Sequence, residues 1–578
     1  MLVVPLIAAA FGAALPALPI DLTPNADDEH VREAAEALRA RPIDLNRAGV
    51  EELLEIPWLD PVLAWRIVGW RDSVGGFSST TELGRVPGLT PDWLRLVLPF
   101  VRVGPVQSPA GGSARLSLRA DTMPPGGRWS GSAAASIERG PWSAALAAEN
   151  DAGEPILPDW LGGSLAYESG ATRACAGDFT FGSGLGLVFS GPHRRFADRA
   201  GRSPDGPSSM RALRLPLEAR HLRGLAVERR FGEFTLAGFG SWAGRDAVLG
   251  ADGEPRRIRL DGRNSDSTRL AGRRAVDEKS VGARAGFERA GFRLALTLGH
   301  LDYEPGIAPA DSHWSFFGRS LTFGGAGLDW LGRPYRLAAE AAGSTGGGWA
   351  GAATVEGNWD RFRLALGADA RTAGFFAPLG RWQSTTDRRD RFSGRVSARW
   401  TPGALSVSAS ASSLQDYVTD SLPGRAGLDI GLPIGPVRLT MGVERRYRLD
   451  EPSFRRAHAE LRWQALPVLG LGLEFDDGYP EGTAGHGRAA AVRVETGVGR
   501  VSLRAAAARF DVAGSARMYF TDPMVFGPAL SYSTARTGWR IGAAAGARLA
   551  FGRFGLSAGW SPGVEAGWNA ATWLETGR

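Results

Sequence analysis

Cysteine and lysine are almost missing from this sequence: Cys175 stands alone, and Lys279 is the single lysine among 67 basic residues. One thiol excludes an intrachain disulfide framework, and a nearly thiol-free chain suits an oxidising compartment. Beyond the N-terminus no apolar run approaches the roughly 18 residues that a membrane-crossing helix needs. The seven histidines (His30, His193, His221, His300, His313, His458 and His486) show no ligand spacing with one another or with Cys175. No Gly-x-Ser-x-Gly elbow joins a strand to a helix. His300-Leu301-Asp302 is the one close His/Asp pair, and on a strand the two side chains share a face. The sequence therefore predicts no catalytic residue, no cofactor and no metal, and a protein that is not an enzyme.

What is present is glycine, arginine and alternation. The 578 residues include 79 glycines and are 43% hydrophobic, with a net charge of only +6. A disordered chain would be poorer in apolar residues and more charged. The mean hydropathy of −0.14 looks soluble, but a transmembrane barrel gives a similar average because inward and outward residues cancel. Residues Leu2 to Leu18 are apolar, with Ala13, Ala14 and Ala17 near the end, and read as a secretory signal peptide over 1–20. No Lys or Arg precedes that core, which leaves an ordinary buried helix as the other reading.

Residues 21–40 read as a helical linker and 41–103 as a small helical domain. Asn46 can cap a helix bearing Val50, Leu53 and Leu54. Asp60-Pro61 and Thr90-Pro91 each pair an N-cap with a first-turn proline. Gly104 to Gly112 is a nine-residue linker, reaching about 30 Å when fully extended.

From Ser113 the period changes to two. Phe292, Leu294, Leu296 and Leu298 alternate with Arg293, Ala295, Thr297 and Gly299. Similar alternation starts at Leu116, Phe362, Val437 and Phe554. A tight turn followed by an aromatic or Val and then Leu recurs at 232–236, 291–294, 360–364, 435–439, 499–503 and 552–556. Long polar connections lie between, at 182–209, 244–277, 372–390 and 521–536. Short turns alternating with long loops predict a mainly β fold: a large antiparallel transmembrane β-barrel of 22–26 strands over 113–578, with a small all-α domain at its N-terminus. A soluble propeller would instead impose a fixed repeat, which these unequal connections do not have.

The helical domain has a recognisable signature. Ile43-Asp44-Leu45-Asn46-Arg47-Ala48, Glu51-Glu52-Leu53-Leu54, Ile56-Pro57, Ala64-Trp65-Arg66-Ile67, Gly75-Gly76-Phe77 and Val86-Pro87-Gly88-Leu89 resemble a ComEA-like helix-hairpin-helix domain. The resemblance implies duplex DNA binding through the backbone, by Gly-x-Gly hairpin turns that let N–H groups approach a phosphate. Here Trp58, Leu59 and Asp60 occupy the first hairpin turn, with Trp58 and Asp60 in the glycine positions. Gly88, Leu89 and Thr90 occupy the second, with Thr90 replacing one glycine. Seven Arg against eight Asp plus Glu over 41–103 leave a net charge of −1, the wrong sign for a phosphate-binding face. These six residues are the candidate contacts to DNA or a protein partner, with helix capping the simpler role for Asp60 and Thr90. The whole arrangement, with Leu98-Pro99-Phe100-Val101 and the stretch Gly177 to Leu185, resembles outer-membrane proteins of the Bacteroidetes type that carry a helix-hairpin-helix domain. In those proteins a Gln is usual where Ser183 stands.

The expectation is thus a non-enzymatic channel or anchor in the outer membrane. Lipid surrounds it, and its helix-hairpin-helix domain faces the periplasm for gating or for docking a periplasmic protein. The alternative is a competence-like DNA-uptake component, which the charge disfavours. Paired arginines in the long connections (Arg194-Arg195, Arg256-Arg257, Arg273-Arg274, Arg388-Arg389) would be solvated loop charge or would draw lipid phosphates.

Overall fold

The computed structural model describes the N-terminal domain at residues 42–46, 48, 53, 56, 64, 67–68, 70–71, 74–86 and 97–103. It describes 113–577 apart from parts of the connections, chiefly 151–157, 191–209, 214–220, 260–266, 309–315, 381–390, 417–423, 522–530 and 562–566. The signal peptide, the 21–40 linker, the 104–112 linker and the six hairpin-turn residues lie outside the described residues.

Among the described residues, twenty-four long strands close into a single antiparallel barrel. A further three-residue strand, Met210–Ala212, pairs only with the end of Thr172–Phe181. Each strand pairs with its sequence neighbours. The ring closes where Ser113–Met123 meets Gly567–Gly577, in register from Arg115↔Gly577 to Thr122↔Ala570. One closed sheet is not a propeller, whose blades are separate sheets.

With an even number of strands the first begins and the last ends at the same mouth. That mouth carries the tight turns, such as Gly232-Glu233 and Gly435-Pro436. Gly232 (φ +61) and Gly435 (φ +58) take the left-handed backbone that such turns require. The longest connections all lie at the opposite mouth.

Alternation assigns the two faces. On Phe292–Ile307, Leu294, Leu296 and Leu298 are exposed, whereas Ala295, Thr297, Leu301 and Tyr303 are buried. The exposed residues form an aliphatic belt continued by Leu146, Leu225, Leu236, Val281, Leu366 and Ile541. Trp142, Phe231, Phe234, Trp330, Tyr335 and Trp463 ring the belt near the tight turns. Trp242, Trp349, Phe392 and Trp539 ring it toward the other mouth. Phe234 and Trp242 stand eight residues apart on one strand, about 26 Å along it. Strand tilt of around 40° brings that to ~20 Å, close to the apolar height of outer-membrane barrels. A water-facing surface would not carry so large a contiguous apolar patch. The barrel spans a membrane.

The N-terminal domain has its own core: Leu45, Leu53, Ile56, Ile67, Phe77, Leu83, Val97 and Phe100 are each at most 2% exposed. Its two ends meet in a short parallel pair, Ile43–Asp44 with Val101–Arg102, an addition to the helical expectation. The described helical pieces include 3-10 turns at Thr80–Arg85 and Leu98–Phe100. Asn46 clamps the far side: its Oδ1 accepts from Phe77 N–H (2.7 Å) and its Nδ2 donates to Phe77 O (2.9 Å). Gly76 lies beside that clamp at φ +122, where a side chain would be strained and would press on Asn46. Arg71 donates to Ala48 O at 2.6 Å and fixes the first turn.

Candidate functional site: a segment folded into the lumen

A barrel of this size encloses more space than its own wall side chains can fill, so what else enters the lumen decides what the barrel can do. Strand Thr172–Phe181 ends by turning inward. Residues 182–190 form a closed loop, pinned by the Gly182↔Ser190 bridge and by Ser183 N–H donating to Phe189 O at 2.9 Å. Gly184 (φ +57) and Gly186 (φ +82) supply the reversals. Leu185, Leu187, Val188 and Phe189 are all buried.

The wall is shaped to receive this loop. Gly282 and Gly299, paired across neighbouring strands, face inward. A Cβ added at either would stand 2.8 or 2.9 Å from the Phe189 ring, and one at Gly325 would stand 2.9 Å from Val188. Glycine is required at those wall positions by close approach. Phe189 packs edge-on against Phe181 (5.2 Å), Phe239 (5.5 Å) and Phe323 (5.8 Å). Such pairs contribute about 0.5–1.5 kcal/mol each beyond area burial. Buried Glu340 accepts the Leu187 N–H at 3.2 Å, and its carboxylate fills the space where Gly184 lacks a side chain.

A second segment joins it. After Phe362–Arg371 the chain runs inward through Phe375, Phe376, Ala377 and Leu379, all buried. Ser344 holds this segment by donating to Gly374 O (3.4 Å) and accepting from Phe376 N–H (3.1 Å). Phe376 stacks on Phe316 at 5.1 Å. Ser190 N–H donates to Leu379 O at 3.0 Å, tying the two segments together. Both enter from the mouth with the long connections.

The connections starting at Gly182 and Thr372 were expected to be polar throughout. That expectation is corrected for 182–190 and 375–379, whose apolar side chains build a core inside the barrel. The signal was in the sequence: Leu185, Leu187, Val188 and Phe189 cluster in one connection, and Phe375-Phe376 in the other.

The remaining lumen wall is charged, with acids and bases paired across strands. Arg336 bonds Asp329 (2.8 Å), Arg363 bonds Glu356 (3.0 Å), Arg395 bonds Asp369 (3.3 Å) and Arg456 bonds Asp476 (2.6 Å). His458 lies 3.1 Å from Asp429. The lumen therefore combines two linings: an apolar core where the inward segments pack against the wall, and cross-strand ion pairs along the rest of it.

Among the described residues, no group of three or more His, Cys, Asp or Glu side chains is placed to hold a metal ion. His300 and Asp302 do share a face, 3.4 Å apart, but on the outside of the barrel, where Thr322 Oγ1 meets the other ring nitrogen at 2.7 Å. Cys175 is buried and free. No helix among the described residues is long and apolar enough to cross a membrane.

Residues 39–102 match the family profile for the helix-hairpin-helix motif. The chain is a helix-hairpin-helix domain joined to a transmembrane β-barrel. No curated protein matches it. Among solved structures it is similar to the translocation pore of the P pilus usher PapC, at 11% identity and TM-score 0.37, covering 80% of this chain and 99% of that one. It is also similar to the siderophore receptor PirA of Pseudomonas aeruginosa, at 8% identity and TM-score 0.42, covering 83% and 82%. The copper transporter OprC is similar at 8% identity and TM-score 0.39, covering 83% and 84%.

Proposed function

We propose that this chain is a non-enzymatic outer-membrane barrel that serves as a gated channel or an anchor, with its helix-hairpin-helix domain in the periplasm as gate or docking module. The observation that carries this reading is a lipid-facing barrel whose wide lumen is narrowed by the two inward-folded segments. Bacterial barrels of the outer membrane carry short periplasmic turns and long outer loops. That convention puts the tight-turn mouth, and with it Ser113 and the preceding domain, in the periplasm. Segments 182–190 and 375–379 then act from the outer side, and the helical domain from the inner side. The net charge of −1 over 41–103 favours a protein partner over DNA for that domain.

Single-channel conductance in planar bilayers tests the reading, on the full chain and on a chain lacking residues 21–112. Steps that lengthen or enlarge when the domain is removed support a gate. Equal conductance in both forms leaves the domain as a docking module only, and silence in both removes the channel reading and leaves the anchor.

A further inference from the structure

One seam of the barrel wall is closed by side chains rather than by backbone. Strand Trp160–Ser169 is paired on one edge to Trp142–Asn150, all the way up to Glu149↔Trp160. On its other edge, pairing to Thr172–Phe181 runs from Ser169↔Thr172 only as far as Ser164↔Gly177. Above that point, toward the long-connection mouth, the two strands part. Gly177 marks the divergence with φ +97. Beyond it Phe179, Thr180 and Phe181 pair with Met210–Ala212 instead. Phe179 also pairs with Leu222 on its opposite edge, so Met210–Ala212 sits as a short wedge on the edge that faces 160–163.

In lipid a backbone group cannot turn to water, so an open strand edge must find partners within the protein. Here two side chains supply them. Asp178 is 1% exposed and accepts the Gly163 N–H at 2.8 Å. It holds Arg223 through Nε at 2.6 Å and Nη2 at 3.0 Å, and the same Nη2 donates to Leu161 O at 2.9 Å. Ser164 Oγ donates to Leu213 O at 2.5 Å and ties the strand to the wedge. Gly162 leaves room for this arrangement, because a Cβ there would stand 2.2 Å from Asp178 Oδ2. A backbone ladder yields only when several bonds break together. This latch centres on one carboxylate.

The wall is apolar on both sides of this seam. Inside, Phe179 and Phe181 join the core around Phe189. Outside, Leu161 is exposed on the belt. The pair next below the parting, Leu165↔Ala176, lines a groove of about 710 Å³ that continues over Leu225 and Gly240. Segment 182–190 follows Phe181 directly, so the parted strand end and the inward loop are one continuous piece of chain. We infer that the wall opens sideways at this seam, with Asp178 and Arg223 as the latch, and admits the acyl chain of a lipid from the leaflet on the long-connection side into the lumen. Hydrocarbon suits such a path because it leaves lipid and meets phenylalanine without crossing water. This inference rests on the outer-membrane reading proposed above.

The test uses the full chain in vesicles containing a phosphatidylcholine with a diazirine on one acyl chain, with photolabelled residues mapped by mass spectrometry. This probe stays in the bilayer, so it reaches Phe179 and Phe181 through the wall and not through a mouth. The seam is locked reversibly by a disulfide in the variant Cys175→Ala/Ser164→Cys/Leu213→Cys, at positions already in contact. Labelling at Phe179 and Phe181 is expected in the reduced form, lost on oxidation and restored by reductant. Belt labelling at Leu236 and Leu296 should stay the same throughout. Asp178→Ala should raise inward labelling about tenfold, the shift that loss of one charge-assisted bond gives. Inward labelling absent from both the reduced form and Asp178→Ala, or persisting after oxidation, would overturn the proposal. So would equal inward labelling of Asp178→Ala and the parent chain. Each variant is checked for the heat-dependent gel shift of a folded barrel, and if Asp178→Ala lacks it the oxidised and reduced forms decide alone. Loss of belt labelling in the parent chain would overturn the membrane reading itself, which separates the two failures.

Discussion

Single side chains carry the clearest tests of the N-terminal domain. Asn46 makes two hydrogen bonds to the Phe77 backbone across 31 residues. At roughly 1 kcal/mol each, with a further cost for the groups left unpaired, Asn46→Ala should destabilise the domain by about 2–3 kcal/mol. Faster amide exchange confined to 42–103 of the full chain would show it, while the barrel amides stay as slow as before. Glu82 gives a pH test. The Ser78 hydroxyl (2.5 Å) and the Ser78 N–H (2.9 Å) both donate to its carboxylate. These bonds hold its pKa below the ordinary carboxylate value. A carboxyl whose folded pKa is depressed stabilises the fold above its unfolded pKa, and that contribution is lost as pH falls through the folded pKa. Glu82→Gln should therefore speed exchange near Thr80–Arg85 at pH 7 and have little effect near pH 3. An equal effect at both pH values would show that the charge is irrelevant.

At the scale of elements, the inward segment 182–190 depends on absent side chains in the wall. Gly299→Val would place atoms against Phe189 and Phe323. Overpacking of this kind costs about 1–3 kcal/mol, enough to shift a nine-residue loop. The expected outcome is protease cleavage within 182–190 and larger conductance steps, with the heat-dependent gel shift retained. A variant that loses the gel shift has lost the barrel rather than the loop. For the helix-hairpin-helix domain, an electrophoretic assay of the full chain with duplex DNA at low salt should show no shift, because a domain of net charge −1 lacks the basic face on which phosphate contacts depend. The strands were legible in the sequence because alternation such as Phe292 to Gly299 has a period that only an extended chain can use. Tight turns such as Gly435-Pro436 were legible because glycine and proline have positional meaning. The inward segments were not read, because Gly182–Ser190 mixes glycines with the consecutive apolar residues Leu187, Val188 and Phe189 and so does not alternate apolar with polar. Its partners Gly282, Gly299 and Gly325 lie about a hundred residues away, on strands whose register no local rule fixes.

On the scale of the whole molecule, two solvents explain the composition. Lipid covers an outward belt of Leu, Val and aromatic residues, so the chain needs no second sheet. The inward face is divided between a packed apolar core and a wall of ion pairs such as Arg245–Glu278 and Arg456–Asp476. Removing one partner of a buried pair leaves the other charge uncompensated, at about 3–5 kcal/mol. Asp476→Ala should therefore lower the temperature of the gel shift more than loss of an exposed pair such as Lys279–Glu304, where Glu304→Ala should change it little.

The decisive measurement is nitroxide scanning from position 294 to 299 of the full chain in lipid vesicles, comparing collision with oxygen, which dissolves in lipid, and with a water-soluble nickel complex. Labels at Leu294, Leu296 and Leu298 should collide mainly with oxygen, and labels at Ala295, Thr297 and Gly299 should be shielded from it. Equal access to the nickel complex at both sets, or no period of two, would contradict a barrel standing in lipid.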